Sequence, residues 1–218
     1  MPIFALPDDE IIFPDPNLAS RDGLLAIGGD LSVERLLLAY NHGIFPWFSE
    51  GEPIMWWSPN PRFVLFPDKL KISKSMQQVL RSNKFEVTTN QDFENVIRNC
   101  QHIKRTGQNS TWITEDIISS YTELHKIGVA HSVEVWENKK LVGGLYGLIM
   151  GKCFFGESMF STVSNASKTG FISFVKQLQA QNFQLIDCQI HSEHLESLGA
   201  EMITRKKFLA LLNHAKNL

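Results

Sequence analysis

The sequence predicts an α+β protein: a small, loop-rich N-terminal lobe over residues 1–61, then an α/β domain over residues 62–218 on a mostly antiparallel sheet. Three observations carry that expectation. Prolines and aromatics crowd the first sixty residues, regular helical and strand periods begin at Arg62, and "AHSVEVWENKKLVGGLYGLIMGKCFFGESMFS" reads as three strands in succession.

In the first lobe the one plausible helix is "SVERLLLAYNH", with Ser32 as N-cap and Gly43 as its stop. From Arg62 onward, "RFVLF" reads as a strand, "SKSMQQVLRS" as a helix, "KFEVTT" as a strand and "QDFENVIRNCQ" as a helix. After the polar loop "HIKRTGQNS", the segment "TEDIISSYTELHKIG" sets Ile117, Tyr121 and Leu124 at i, i+4 and i+7, with acids in its first turn and Gly128 at its end. The meander follows, its first two strands joined at "ENKK" and the third entered around Gly151 and Lys152. "SNASKTGFISFVKQLQAQN" then places Phe171, Phe174, Val175 and Leu178 on one helical face, with Ser164 or Asn165 as cap. A strand "FQLIDCQ", a helix "SEHLESLG" and a strand "AEMITRKKF" close the domain.

Composition narrows the class. Hydrophobic residues make up 43% and charged residues 20% of the 218, which is ordinary for a soluble globular protein and excludes a disordered or fibrous one. The net charge of -2 does not announce a nucleic-acid binder, although a basic patch can hide inside a neutral total. Cys100, Cys153 and Cys188 are scattered and odd in number, which argues against a disulfide framework and fits a reducing compartment. The first residues carry prolines and acids where a signal peptide needs a basic start and an apolar run, so a cytoplasmic protein is expected.

The polar residues in apolar surroundings are the candidates for chemistry. In the extended "LIDCQ", Asp187 and Gln189 share a face and Cys188 takes the other. Glu157, in "FFGESMFS", sits among aromatic neighbours where a carboxylate loses water; it either acts in a site or simply accepts backbone amides. Asp187 could likewise cap the helix starting near Ser192. Together Glu157, Asp187 and Gln189 can form one polar constellation. Cys188, His191 and His194 are of zinc-binding types, but their spacing crosses a strand-to-helix junction and they need not converge, so no metal is expected. Four of the five tryptophans lie in or near "GIFPWFSEGEPIMWWSPNP" or "STWIT", which suits a recognition surface as well as a ring-filled core.

The order helix, antiparallel meander, helix, strand, helix resembles the Gcn5-related N-acetyltransferase fold. Those enzymes cradle the pyrophosphate of acyl-CoA in a glycine-rich turn before the helix that follows the meander. Here that stretch, "FSTVSNASKTG", has one glycine, Gly170. An acyl-CoA-dependent N-acetyltransferase is therefore the alternative reading, on an N-acetyltransferase-like domain without the CoA turn.

Read together, "GLLAIGGDLSVERLLLAYNHGIFPWFSEGEPIMWWSPNPRFVL", "TWIT", "AHSVEVW", "LVGGLYG", "GESMFS", "NASKTG" and "LIDCQ" closely resemble the bacterial leucyl/phenylalanyl-tRNA-protein transferases over nearly the whole chain. The resemblance implies transfer of leucine or phenylalanine, less well methionine, from aminoacyl-tRNA to the N-terminal arginine or lysine of a protein, which marks it for degradation. It implies no cofactor, since the donor is an activated ester. It further implies an aminoacyl pocket of Leu145, Phe154, Phe171, Phe174 and Ile186, and Trp47 and Trp112 around the terminal adenosine of the tRNA. Phosphate contacts are expected from Lys71, Lys74, Arg81 and Lys84, with Lys104 and Arg105 as a second group. For the chemistry, the Gln189 carbonyl oxygen is expected to hold the attacking amine, and Asp187 to accept a hydrogen bond from the Gln189 amide nitrogen. Glu157 is expected to supply negative charge. A monomer is expected.

Overall fold

Two sheets organise the chain in the computed structural model, which describes residues 3–103 and 111–218. The smaller sheet is built from strands within residues 4–57. Its strands are β1 (Phe4–Leu6), β2 (Leu24–Gly28), β3 (Phe45–Pro46) and β4 (Met55–Trp57), in the order β1-β2-β4-β3. Between β2 and β3 lies the expected helix, α1 (Val33–Asn41), whose Ser32 hydroxyl accepts the Arg35 N–H at 3.3 Å. The sheet itself was not expected. Its strands span only two to five residues, too short for alternation to stand out among prolines and rings.

The larger sheet has seven strands, β5 (Arg62–Leu65), β6 (Glu86–Thr89), β7 (Ala130–Glu137), β8 (Lys140–Met150), β9 (Cys153–Ser161), β10 (Leu185–Gln189) and β11 (Glu201–Ile203), in the order β11-β5-β10-β9-β8-β7-β6. Every pairing in it is antiparallel except β9 with β10. A parallel pair needs a crossover, here made by the helix α5 (Ala166–Ala180). Asn165 rather than Ser164 stands at its N-cap, in a left-handed conformation. Three further helices fall where the periodicity put them: α2 (Lys74–Arg81), α3 (Phe93–His102) and α4 (Glu115–Lys126). At "ENKK", Asn138 and Lys139 both take positive φ, as a two-residue hairpin turn requires. The α+β class and the mostly antiparallel sheet are as the sequence predicts.

One element differs. The segment read as a closing strand, "AEMITRKKF", is strand only over Glu201–Ile203; after a short helix α6 (Glu193–Glu196) and β11 comes α7 (Arg205–Lys216). The Thr204 hydroxyl accepts the Lys207 N–H at 3.3 Å and starts that helix. Phe208, Leu212 and Ala215 are buried at i, i+4 and i+7, a helical stripe that the basic run at 205–207 disguised.

The sheet has a different core on each side. Phe154 and Ile186 join Phe63, Leu145, Phe171 and Phe174 in a cluster beneath α2 and α5. Phe155, one residue on, points the other way, into a cluster holding Tyr40, Phe45 and Trp56 of the first lobe, Tyr121 of α4 and Phe208 of α7. That second core is continuous from the small lobe to the large sheet. A fully buried side chain of this kind contributes about 1.5–3 kcal/mol, so Phe208 is a substantial anchor for α7. Among the described residues no helix is long and apolar enough to cross a membrane.

Candidate active site

The stretch Leu185–Gln189 runs as β10 between β9 and β5, and its pairing with β5 is irregular. Asp187 lies opposite Val64 and Gln189 opposite Phe63, so Cys188 is the extra residue of a bulge. Ile186 and Cys188 belong with the core beneath α5, whereas Asp187 and Gln189 make their contacts on the opposite side. Asp187 is completely buried and gripped by an equally buried Arg62: Nε donates to Oδ1 at 2.8 Å and Nη2 to Oδ2 at 2.6 Å. Oδ1 also accepts the Gln189 backbone N–H at 2.9 Å.

Gln189 itself has φ of 64° and is buried. This turn carries its side chain to Glu157, where Nε2 donates to Oε1 at 2.9 Å. The expected hydrogen bond from the Gln189 side-chain amide to Asp187 is thus not formed. The reason is geometric: Arg62 occupies the Asp187 carboxylate, and the bulge sends the Gln189 amide elsewhere. Nor does Asp187 cap the following helix, since α6 has no side-chain cap.

Glu157, near the middle of β9, receives three donors from three elements. The Tyr40 hydroxyl of α1 donates to Oε1 at 2.7 Å, the Tyr121 hydroxyl of α4 to Oε2 at 3.3 Å, and Gln189 completes the set. The two tyrosine hydroxyls also contact each other. Burial pushes the Glu157 carboxyl up to about 8, and the charge of Asp187 adds to that, against the three hydrogen bonds. Glu157 is therefore mostly protonated at neutral pH, which corrects the expectation that it supplies a negative charge. Burial, then the neighbouring Glu157, hold both phenols well above their ordinary range, so they stay protonated donors.

A cavity of about 510 Å³ lies over this cluster. Glu157 and Gln189 contribute polar lining, and Leu145, Phe154, Phe171 and Ile186 contribute apolar lining. Phe174 is not at the surface of the cavity; it stands behind Phe154, edge-on at 4.9 Å between centroids. Trp47 and Trp112 also line the cavity and keep part of their surface accessible. Trp57 braces Trp47, donating its indole N–H to the Trp47 carbonyl at 2.6 Å and packing edge-on against its ring at 5.7 Å. An apolar wall beside a few fixed polar groups is the usual form of a small-ligand site.

Lys71, Lys74, Arg81 and Lys84 are exposed along and beside α2, which packs on α5. Lys84 lies 3.6 Å from the Glu137 carboxylate. Lys104 and Arg105 lie outside the described residues. His191 pairs with Glu196 at 3.1 Å and tilts over Phe63. Among the described residues no three His, Cys, Asp or Glu side chains are gathered as metal ligands.

Three residues of this cluster escaped sequence reasoning: Tyr40, Tyr121 and Arg62. Each carried a signal. Both tyrosines sit on the buried stripes of their helices, where a phenol needs a partner. Arg62 opens a strand whose four residues are all buried, and a buried guanidinium calls for a carboxylate.

The sequence pattern of the family described as leucyl/phenylalanyl-tRNA protein transferase matches residues 64–213, and that of the family's N-terminal domain matches residues 29–60. The chain is 57% identical to a leucyl/phenylalanyl-tRNA--protein transferase of Flavobacterium johnsoniae over 93% of this chain and 96% of that one. It is 59% identical to the same-named protein of Flavobacterium psychrophilum over 93% and 96% of the two chains. With that of Syntrophobacter fumaroxidans the identity is 54% over 97% and 90%. Among solved structures, a GCN5-related N-acetyltransferase-like protein of Streptococcus suis overlaps 74% of this chain and 60% of its own at 9% identity and a TM-score of 0.37, and the assignment rests on sequence instead. Matches of this identity and coverage settle the kinship: the chain belongs to the leucyl/phenylalanyl-tRNA protein transferase family.

Proposed function

We propose that the protein transfers leucine or phenylalanine, and less well methionine, from aminoacyl-tRNA to the N-terminal arginine or lysine of acceptor proteins, creating a signal for their degradation. The observation that carries this reading is the cavity, in which an apolar wall meets the hydrogen-bonded Glu157–Gln189 pair beside two tryptophans. In this reading Leu145, Phe154, Phe171 and Ile186 hold the donor side chain, and Phe174 fixes Phe154 from behind. Such walls discriminate by only about 1–3 kcal/mol per methylene, which fits a donor set of several large apolar residues. Trp47 and Trp112 stack on the terminal adenosine, and stacking tolerates any base, as a common tRNA 3′ end requires. Lys71, Lys74, Arg81 and Lys84 meet tRNA phosphates.

The reaction joins the acceptor α-nitrogen to the ester carbonyl carbon and breaks the bond from that carbon to the ribose oxygen, which leaves as a hydroxyl carrying the proton that the nitrogen gives up. The donor is already activated, so neither ATP, a metal ion nor CoA is needed. An α-amino group with pKa of about 7.7–8.0 is partly neutral at pH 7 and attacks without a strong base. Gln189 points its amide N–H at Glu157, which leaves its carbonyl oxygen to accept from the attacking amine and hold it in line. Glu157, with Tyr40 and Tyr121 behind it, fixes which way that amide faces. The protein acts as a monomer in the cytoplasm.

The test is direct. Purified protein, labelled Phe-tRNA and a peptide beginning with arginine are incubated, and the label is expected on the peptide N-terminus. An acetyl-CoA-dependent product in its place, or tRNA binding that ignores the aminoacyl group and yields no transfer, refutes the reading.

A further inference from the structure

Seven non-glycine residues among those described have positive φ, and six of them are asparagine or lysine at exposed positions; the seventh, Gln189, is buried. Asparagine tolerates this region because its short amide bonds locally, an advantage glutamine lacks. Such a conformation persists only where its surroundings over-determine it, and it tends to do so at functional sites. Here the determinant is visible. The Gln189 N–H is fixed by Asp187 Oδ1 at 2.9 Å, and Asp187 is in turn fixed by both faces of the Arg62 fork at 2.8 and 2.6 Å.

We propose that Arg62 is a positioning residue for aminoacyl transfer: it aims the Asp187 carboxylate at the Gln189 N–H, which holds Gln189 left-handed and directs its side chain to Glu157 in the cavity. The inference rests on the transfer reading above for its functional half, while the clamp itself rests on geometry alone. Arg62 is itself held from two sides. Its guanidinium lies 4.7 Å from the Phe45 ring centroid and 4.5 Å from that of Phe208. Its third nitrogen, Nη1, is buried and has no hydrogen-bond partner among the described residues. A pair kept for stability alone is poorly made this way, because an apolar pair of similar volume fills such a site with no charge to desolvate, although it leaves the Gln189 N–H without its acceptor. What an apolar pair lacks is the planar fork that sets the carboxylate's angle. Lysine, a point charge, lacks it too.

The test uses the full-length protein, charged Phe-tRNA and an arginine-led peptide, with Arg62→Lys and the double variant Arg62→Met/Asp187→Leu beside the unaltered chain. Arg62→Lys is expected to bind charged tRNA within twofold of the original and to turn over about 100-fold more slowly, the usual loss when a positioning group shifts by roughly 1 Å. The double variant, which exchanges the cost of two buried charges for that of one unpaired backbone N–H, is expected to melt close to the original temperature and to stay as slow. Amide hydrogen exchange adds a reading that needs no activity: the Gln189 N–H should exchange at least tenfold faster in Arg62→Lys while that of Ile186 in the same strand does not change. Original turnover in the stable double variant, turnover that merely tracks melting temperature, or unchanged exchange at Gln189 in Arg62→Lys overturns the proposal. Should the double variant not fold, the exchange measurement on Arg62→Lys decides. An unaltered chain that transfers nothing, while Gln189 exchange still responds to Arg62→Lys, refutes the transfer reading and leaves the clamp standing.

Discussion

Replacing Glu157 by glutamine removes an acid whose carboxyl burial has pushed from 4.5 up to about 8, while keeping its shape. Between those two values the folded protein holds a proton that the unfolded chain has released. Stability therefore falls as pH rises through the window, is unaffected below about 4.5, and carries the full penalty above about 8. At roughly 1.4 kcal/mol per pKa unit, the interval from 4.5 to about 8 sets an upper bound of about 5 kcal/mol. The side chain lines the cavity and retains some contact with water there, so we expect about 4 kcal/mol in practice. The measurement is urea unfolding of both proteins at pH 5, 7 and 9. A difference of less than about 1 kcal/mol is expected at pH 5, with the Glu157→Gln variant ahead by the full margin at pH 9. Taking the difference between the two proteins cancels His131 and His194, whose imidazoles burial holds below their usual range. Parallel profiles across the whole range would show that the carboxyl is well solvated and refute the account of the cluster.

Asp187→Asn leaves Arg62 charged and unpaired in the core, so a loss of about 3–5 kcal/mol in unfolding free energy is expected, together with a larger fall in turnover than in tRNA affinity. Equal losses in binding and turnover would leave Asp187 a structural role only. Trp112→Ala is expected to weaken binding of charged tRNA by about 1–3 kcal/mol, read by filter binding at fixed salt. Neutralising Lys71, Lys74, Arg81 and Lys84 together should lower the slope of log affinity against log salt by about 3; an unchanged slope would remove α2 from the tRNA interface. Phe208→Ala should cost about 3–5 kcal/mol in chemical unfolding, because its ring is fully buried against Arg62.

The sequence revealed what periodicity and polarity can reveal. Phe171, Phe174, Val175 and Leu178 repeat at helical spacing and lie on α5; Asp187 and Gln189 break an apolar strand and indeed gather with Glu157. Burial and partner were inferable, but hand-to-hand contacts were not. Strict alternation has no place for the extra residue at Cys188, so it could not show that Asp187 meets the backbone of Gln189 rather than its side chain. Nothing local in "RFVLF" tells which carboxylate, 125 residues away, Arg62 will meet. The protonation of Glu157 was equally hidden, since it arises from two helices and a strand closing around one carboxyl. The terminal helix was overlooked for a different reason: at Thr204 a capping hydroxyl looks the same as a strand residue until the buried positions after it are counted at the right period.

α7 closes the first lobe: Arg205 donates to the Ser58 carbonyl at 2.6 Å, Lys216 donates to the Asn41 carbonyl at 2.6 Å, and Phe208 lies so near Gly43 that a Cβ there would stand 2.7 Å from its ring. Phe45 and Arg62 thus leave the ribosome long before the ring that covers them exists. At ~5–20 residues per second, the stretch from Phe45 to Phe208 takes roughly 10–30 s to synthesise, and for that time the nascent lobe has an open apolar flank. The Asp187 partner of Arg62 arrives only shortly before the lid. A nascent chain interrupted before α7 therefore carries most of the residues of the site but lacks the surface that sets them, and is a client for chaperones rather than a slow enzyme.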